Sequence, residues 1–368
     1  MSLYARKPRT PTLATALLIK AIGTDYTLEP YHPVPIPGPD EVLIRCVAVS
    51  LNPVDWQSKA YNFGISSLPW VNGRDASGVI EAVGDNMSSL CVGDAVFTLT
   101  DYTKSHSGSY QEFFIATASS VARIPSGMSF ESAAALPVAA ITAAISLQRY
   151  MGIGPSVPCP ISAREHRCLL IWGGATSTGY MAIQLAKIYG LSVITVASTV
   201  NFEYLRQAGA DVVLDRKDPD EALRRIREIT HGRLRLAFDA VGPTTARLCA
   251  RALCKEAGQP SSVLVALAGL PKDVVEGPVF STIMLPTVKV KLFHNEPTFG
   301  RHLLQELTAY LGDGRLKPPR ISILSGGFQA VETGLLKLRN KEISGRKLVI
   351  RVDETNNLKE SRHDLGWL

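Results

Sequence analysis

The 368-residue chain has no apolar run long enough to cross a membrane, no internal repeat and no low-complexity tract. These absences set aside membrane-spanning, solenoid and disordered classes. The six cysteines stand at 46, 91, 159, 168, 249 and 254. None pairs at zinc spacing and most lie in apolar runs, so they read as small buried hydrophobes of a reducing, cytoplasmic compartment. Neither sign of charge is in large excess, with Lys plus Arg at 39 and Asp plus Glu at 33. The basic residues Arg224, Arg225, Arg227, Arg233 and Arg235 alternate with Glu221 and Glu228 and lack interleaved aromatics. That pattern is a solvated helix face and not a nucleic-acid surface. Arg6, Lys7 and Arg9 precede the first acid, Asp25, which would suit a transit peptide. A solvated basic arm before a first strand at 13–22 is the simpler reading.

At 46% hydrophobic and 20% charged residues, the composition is that of a globular protein long enough for two cores. The most informative stretch is 168–197. An apolar run at 168–172 meets the small-residue loop G-G-A-T-S-T-G at 173–179. A helical pattern follows over 181–189, Gly190 stops it, and a second apolar run begins at Leu191. This is a β-α-β unit with a phosphate-sized loop at its first turn. Glycine lets the backbone approach a pyrophosphate, and the helix N-terminus offers free N–H groups and partial positive charge. The loop departs from strict G-x-G-x-x-G spacing, and an ordinary strand-to-helix turn would look alike. Context favours a dinucleotide. Strand-like runs at 211–214, 234–240, 262–267 and 288–293 alternate with helical patterns at 201–208, 219–230 and 244–255, as in a doubly wound parallel α/β sheet.

Residues 1–150 have a different texture. Short β-rich runs at 41–49, 78–83, 94–98 and 112–116 are separated by Pro, Gly and Asn. Pro33, Pro35, Pro37 and Pro39 alternate before Asp40, which forbids helix and favours an extended edge. The run 131–150 turns helical and bridges into the next domain. Beyond Pro318 and Pro319, a strand at 321–324, a helix near 329–338 and a strand at 347–352 fit back onto the first domain. The expected organisation is 1–150 completed by 318–352, then 151–317, then a polar, disordered tail at 353–368 whose Trp367 and Leu368 could dock.

Several motifs follow one another in a specific order: S-L-N-P-V-D-W at 50–56, G-R-D-A-S-G-V-I-E-A-V-G at 73–84 and V-G-D-A-V-F at 92–97. P-V-A-A-I-T-A-A at 137–144, the 173–179 loop and S-G-R-K-L-V at 344–349 complete the set. With them the chain resembles the medium-chain dehydrogenase/reductase superfamily, in its zinc-independent branch of quinone and enoyl reductases. It is most similar to the free-standing enoyl reductases that serve fungal polyketide synthases in trans. The resemblance runs from about Leu17 to Val352 and implies a GroES-like β domain at 1–150 and a Rossmann dinucleotide-binding domain at 151–317.

Zinc-dependent relatives place a Cys near the N-P-V-D segment and a His-Glu pair where this chain has Arg74 and Asp75. They also carry a four-cysteine lobe after the V-G-D turn. Here Val54, Asp55, Arg74 and Asp75 supply no thiolate or imidazole, 94–111 holds no cysteine, and His106 stands alone. No metal site is expected.

The second strand of the nucleotide unit ends V-I-T-V-A-S-T-V-N, with no carboxylate before Glu203. Nothing there would hold a ribose 2′-hydroxyl or repel a 2′-phosphate. Ser198, Thr199 and Asn201 are small donors suited to phosphate oxygens, although they would equally cap the next helix. The resemblance places Arg216 to pair with the phosphate charge, with Lys217 behind it, so NADPH is the expected cofactor. Gly174, Ala175, Thr176, Ser177, Thr178 and Gly179 would hold the dinucleotide, and the resemblance adds Asn52, Val241 and Leu267 to the cofactor contacts.

The resemblance implies hydride delivery to the β-carbon of an α,β-unsaturated carbonyl. Thr142 would touch the nicotinamide carboxamide, or bond back to its own helix. The trans-acting reductases carry Lys directly after the N-P-x-D-x segment, and this chain has Gln57, which can only hydrogen-bond; Lys59 would point elsewhere. Tyr61, Tyr102 and Tyr110 stand level as proton donors. The leading expectation is an NADPH-dependent trans-acting enoyl reductase of polyketide thioesters, with a polyketide synthase as partner and neither nucleic acid nor membrane. A reductase of small free enones or quinones is the alternative within the fold. A redox-silent, ligand-binding or auxiliary member is the alternative outside it, kept open by Gln57.

Overall fold

The computed structural model describes residues 10–101, 103–155, 168–254, 262–270, 283–284 and 290–358. They form two compact units. One holds the described residues of Met1–Pro137, Ile321–Glu342 and Leu348–Leu368; the other holds those of Val138–Arg320 and Ile343–Lys347. The division at Pro137 falls inside a helical run, Phe130–Tyr150, and not at its end. That run is long and apolar enough to span a membrane by composition, contrary to the sequence expectation, yet 78% of its most apolar window is buried within the protein. It is apolar because it is a core helix.

The first unit starts with β1 (Leu13–Ile19), antiparallel to β2 (Thr27–Pro33). The ten-residue β3 (Glu41–Ser50) follows, then α1 (Pro53–Tyr61). β4 (Trp70–Val71) closes a three-stranded sheet in the order β2-β1-β4. β5 (Asp75–Val83) runs antiparallel to β3, with Asp75 opposite Ser50. β6 (Ala95–Leu99), β7 (Phe113–Thr117) and β8 (Val121–Arg123) extend this second sheet, β7 pairing with β3. α2 (Phe130–Ala134) starts at Ser129, whose hydroxyl accepts from the Ser132 amide, and its Ala134 packs with Ala48 and Val349. β2, α1 and β4 were not anticipated from the sequence. β2 carries two prolines and is an edge strand, and β4 has only two residues.

The second unit opens with α3 (Pro137–Ile145). Its sheet holds β9 (Cys168–Trp172), β10 (Ser192–Ala197), β11 (Val212–Asp215), β12 (Leu236–Asp239), β13 (Ser262–Ala266) and β14 (Ile283–Met284). All pairings are parallel, in the order β11-β10-β9-β12-β13-β14. In the unit's own count this is 3-2-1-4-5-6, with the reversal between β9 and β12, where open α/β sheets bind ligands beyond their carboxyl ends. The crossovers are α4 (Ser177–Ile188), α5 (Phe202–Gln207), α6 (Pro219–Thr230) and α7 (Pro243–Ala252). Leu170, Trp172, Ile194, Val196, Ala237 and Leu264 fill one core cluster. α8 (Leu292–Asn295) and α9 (Pro297–Gly312) follow. A strand was expected at 288–293; residues 292–293 are helical and 288–289 lie outside the described residues.

The chain then returns to the first unit through β15 (Ile321–Ile323), α10 (Ala330–Arg339) and β16 (Lys347–Arg351), completing the order β15-β16-β3-β5-β6-β8. The expected disordered tail begins too early. Short helical turns continue over Val352–Leu358, because Glu354 and Thr355 side chains accept from the amides of Gly326 and Phe328. Trp367 and Leu368, like the basic arm at Arg6, Lys7 and Arg9, lie outside the described residues.

Candidate active site

In the second unit the site is built mainly by backbone. β9 ends at Trp172, and Gly173 follows with φ +89°. A Cβ there would stand 2.5 Å from Val241 Cγ2, one on Gly174 would strike Thr195 Oγ1, and one on Gly179 would strike the Gly173 carbonyl. The loop is packed so closely that only glycine fits at these three places. Thr176 caps α4: its Oγ1 accepts from Gly179 N–H at 3.0 Å and donates to Gly173 O at 2.9 Å. Ala175, Thr176, Ser177 and Thr178 are half-buried, and the first amides of a helix have no partner within it. An anion can therefore approach where side chains would otherwise block it.

The neighbouring strand ends add to this edge. Ser198 is half-buried after β10, and the Arg216 amide donates to Ala197 O at 3.0 Å, which brings the exposed Arg216 beside it. Asn201 is committed elsewhere. It is buried, and its Nδ2 donates to Ser344 Oγ at 3.0 Å. After β12, Asp239 turns its carboxylate onto the following loop, Oδ2 accepting from Val241 N–H at 3.3 Å and Gly242 N–H at 2.9 Å. Asp239 Oδ1 is buried with no hydrogen bond among the described residues. Burial pushes this carboxyl up to about 6, against the pull of the nearby Thr245 side chain and of the Gly242 and Val241 amides. Val241 is exposed, and the Leu267 amide donates to Asp239 O at 2.9 Å, placing both residues at the carboxyl edge. Thr142 is buried in α3, where its carbonyl accepts from Ser146 Oγ at 2.7 Å. Its own hydroxyl does not bond back to the helix among the described residues.

In the first unit the site is built by side chains. α1 begins at Asn52, whose amide donates to Asp55 Oδ2 at 2.8 Å, with Pro53 in the first turn. Asn52 is buried; its Nδ2 donates to Asp75 Oδ2 at 2.9 Å, which also accepts from Ser50 Oγ at 2.8 Å. Tyr110 O–H donates to Asp55 Oδ2 at 2.9 Å, and Arg74 Nη2 donates to Ser58 Oγ at 2.9 Å. Arg74 Nε stands 3.6 Å from Asp55 Oδ1, which accepts no hydrogen bond among the described residues. Asn72 Nδ2 bridges Asp55 O and Tyr26 Oη, each at 2.9 Å. Burial drives the Asp55 carboxyl up to about 6, only partly offset by the Arg74 guanidinium. Burial also raises the Tyr26 and Tyr110 hydroxyls well above their ordinary range.

On this scaffold Gln57 is half-buried and its amide makes no hydrogen bond among the described residues, so it can meet a ligand. Lys59 cannot replace it. Its ammonium pairs with Glu332 and lies 3.7 Å from Asp25 and 5.0 Å from the centre of the Tyr26 ring. Of the three tyrosines, Tyr110 is fully buried and already donates to Asp55, Tyr61 is 68% exposed, and Tyr102 lies outside the described residues. Sequence reasoning missed Asp239 and the Tyr26–Asn72–Arg74–Tyr110 network. The N-P-x-D capping pattern and the D-A-V-G turn at 239–242 were signals for parts of it.

Residues 38–126 match the alcohol dehydrogenase GroES-like domain and residues 177–290 the zinc-binding dehydrogenase domain. The trans-enoyl reductase buaC of Petromyces alliaceus is 32% identical over 357 residues, covering 92% of this chain and 97% of the relative. The chain belongs to the medium-chain dehydrogenase/reductase family, in its trans-enoyl reductase branch. Another relative is the enoyl reductase component lovC of the lovastatin nonaketide synthase of Aspergillus terreus, 28% identical over 87% of this chain and 94% of its own length. The structure of a mycobacterial protein complexed with NADPH superposes with a TM-score of 0.72 at 24% identity, over 92% of this chain and 99% of that one. The fold of this family binds NAD(P), and the glycine cradle and open amides fit the pyrophosphate of such a cofactor. The zinc in the second domain's name has no counterpart at positions 54, 55, 74 and 75, where the polar residues belong to the Asp55–Asp75 network. Among the described residues no group of three or more His, Cys, Asp or Glu could hold a metal.

Proposed function

We propose that this chain is an NADPH-dependent enoyl reductase that acts on an α,β-unsaturated thioester carried by a polyketide synthase. The observation that carries the cofactor choice is the end of β10. β10 itself ends without a carboxylate, Ser198 is accessible, and exposed Arg216 is tied beside it through Ala197 O. A 2′-phosphate would meet a hydroxyl and a guanidinium instead of a repelling charge. The substrate class comes from the trans-enoyl reductase relatives, which match nearly end to end.

Bound NADPH would supply the hydride that reaches the β-carbon. The chain's part is to bind, orient and stabilise charge. Ala175–Thr178 would hold the pyrophosphate by backbone amides, and Thr142 would orient the nicotinamide carboxamide. Gln57 would donate its amide N–H to the thioester carbonyl oxygen, where negative charge develops on reduction, and the enolate so formed would take its α-carbon proton from water. A neutral amide stabilises that oxygen less than an ammonium would, so turnover should be slow. Asp55 holds the first turn of α1, and with it the direction of Gln57. The neutral residue at 57 favours one second reading, a member that binds the dinucleotide but transfers no hydride.

The test follows NADPH absorbance with crotonyl N-acetylcysteamine thioester and with the same acyl group on a synthase carrier domain. Oxidation of NADPH with formation of the butyryl product supports the proposal. NADPH binding with no product from either thioester supports the silent reading instead.

A further inference from the structure

In the first unit α1 and α10 lie side by side and antiparallel. Lys59 pairs with Glu332 toward one end, and the Arg339 guanidinium lies 5.6 Å from the centre of the Trp56 ring toward the other. The inward positions of α10, Val331, Gly334 and Leu335, are buried. Its outward face leaves Leu336 52% exposed. On α1, Tyr61 is 68% exposed with its ring edge-on to Trp56 at 5.9 Å, and Phe63, just past the helix end, is 57% exposed. Large apolar groups are scattered singly on most surfaces, whereas adjacent aromatic and aliphatic groups mark a contact face.

Lys59 on this face is held by Glu332 and Asp25, but two further cations have no carboxylate partner among the described residues. Arg339 and Lys341 are exposed and meet no carboxylate at ion-pair distance among the described residues, and neighbouring Glu342 accepts from Asn340 Nδ2 at 3.1 Å. The other basic helix behaves in the opposite way. On α6, Arg224 pairs with Glu221 and Glu228, and Arg225 with Glu228, so these two cations are satisfied along the helix itself. Arg339 and Lys341 therefore differ from the Arg224–Arg225 pair, whose charge is already met by carboxylates on its own helix. The α1/α10 face also adjoins the chemistry, because Gln57 follows Trp56 on α1.

We propose that the α1/α10 face, with Trp56, Tyr61, Phe63 and Leu336 as its apolar ridge and Arg339 and Lys341 as its cations, docks an acidic protein domain, the carrier that presents the enoyl thioester. The proposal rests on the function put forward above and adds the surface and the sign of the partner's charge. Aromatic and Arg anchors dominate protein interfaces, and opposite charge at the rim speeds encounter and sets register. A small diffusible thioester needs none of this surface.

The test compares the unaltered chain with an Arg339→Glu/Lys341→Glu variant and a separate Phe63→Ser variant. Each is titrated by calorimetry with a crotonyl-loaded carrier domain of a fungal polyketide synthase and assayed with crotonyl N-acetylcysteamine thioester. Arg224→Glu/Arg225→Glu on α6 is the control. The charge-reversed variant should bind the carrier at least about tenfold more weakly, with unchanged NADPH binding and unchanged turnover of the small thioester. Phe63→Ser should weaken carrier binding by a smaller factor, and the α6 control should bind normally. No carrier binding by the unaltered chain, equal binding by the charge-reversed one, or an equal loss in the α6 control overturns the proposal. Carrier binding that depends on the α1/α10 face, without product from either thioester, keeps the docking surface and rejects the reductase reading.

Discussion

The two units solve the same problem by different means. In the second, the site is a property of the backbone: three glycines admit close approach, a capped helix offers amides, and the sheet behind them is apolar. Its one buried carboxyl among the described residues, Asp239, sits at a strand end and steers a turn. In the first unit, the site rests on a closed polar network. Asn52, Asp55, Asn72, Arg74 and Asp75 are all buried, and Tyr110 is buried with them. A backbone site tolerates almost any side chain that does not intrude. A network of buried charges tolerates very few changes, because each member removed strands another.

The sharpest break in this comparison is at the glycine loop. Gly179→Val puts a side chain against the Gly173 carbonyl and should weaken dinucleotide binding by roughly 100-fold, about 2.7 kcal/mol, by calorimetry, while circular dichroism shows the helices retained. Normal affinity in that variant would mean the backbone does not form the cradle. Next in size is Asp55→Asn. It removes the buried charge that stands 3.6 Å from the Arg74 guanidinium, and urea unfolding should show a loss of about 3 kcal/mol. A loss within experimental error would show that the network is ornamental to stability.

Asp239 sharpens the contrast through pH. Its carboxyl is held up to about 6 in the fold, against about 3.9 in an unfolded chain. Between these values the unfolded chain releases its proton while the folded chain keeps it. The group's contribution to stability is therefore present at about pH 4, falls as pH rises to about 6, and is flat above that. Relative to Asp239→Asn, the unaltered protein should lose about 2 kcal/mol over this interval. A constant difference across it would refute the raised value. The smallest expected effect is a gain. Gln57→Lys should raise turnover of an enoyl thioester several-fold at fixed NADPH, as ammonium replaces amide opposite the carbonyl oxygen. Unchanged turnover would remove position 57 from the chemistry.

Much of the second unit was legible in the sequence because its information is local. The 168–197 stretch contains strand, loop, helix and strand in order; β9 and β10 formed within a residue of the expected runs, while α4 starts four residues early, at Ser177, inside the glycine loop. Ser198 and Arg216 do follow the ends of β10 and β11, although it was the resemblance that singled out Arg216. The first unit was harder to read. α1 has nine residues, with only Asp55 and Ser58 buried, so no apolar stripe announced it. The network joins positions 26, 52, 55, 72, 74, 75 and 110, and no periodicity links a tyrosine at 26 to one at 110. Asn201 shows the limit within the second unit: its type suited a phosphate donor, but Ser344, far along the chain, takes its amide.

The central claim is that the carboxyl edge of the second unit's sheet holds NADPH in preference to NADH. Its most direct test is a paired calorimetric titration with both cofactors, on the unaltered chain and on Arg216→Ala. The account predicts NADPH binding at least about tenfold tighter than NADH, and a preference largely erased by the substitution. Binding of neither cofactor, or equal binding of both before Arg216 is changed, would contradict it.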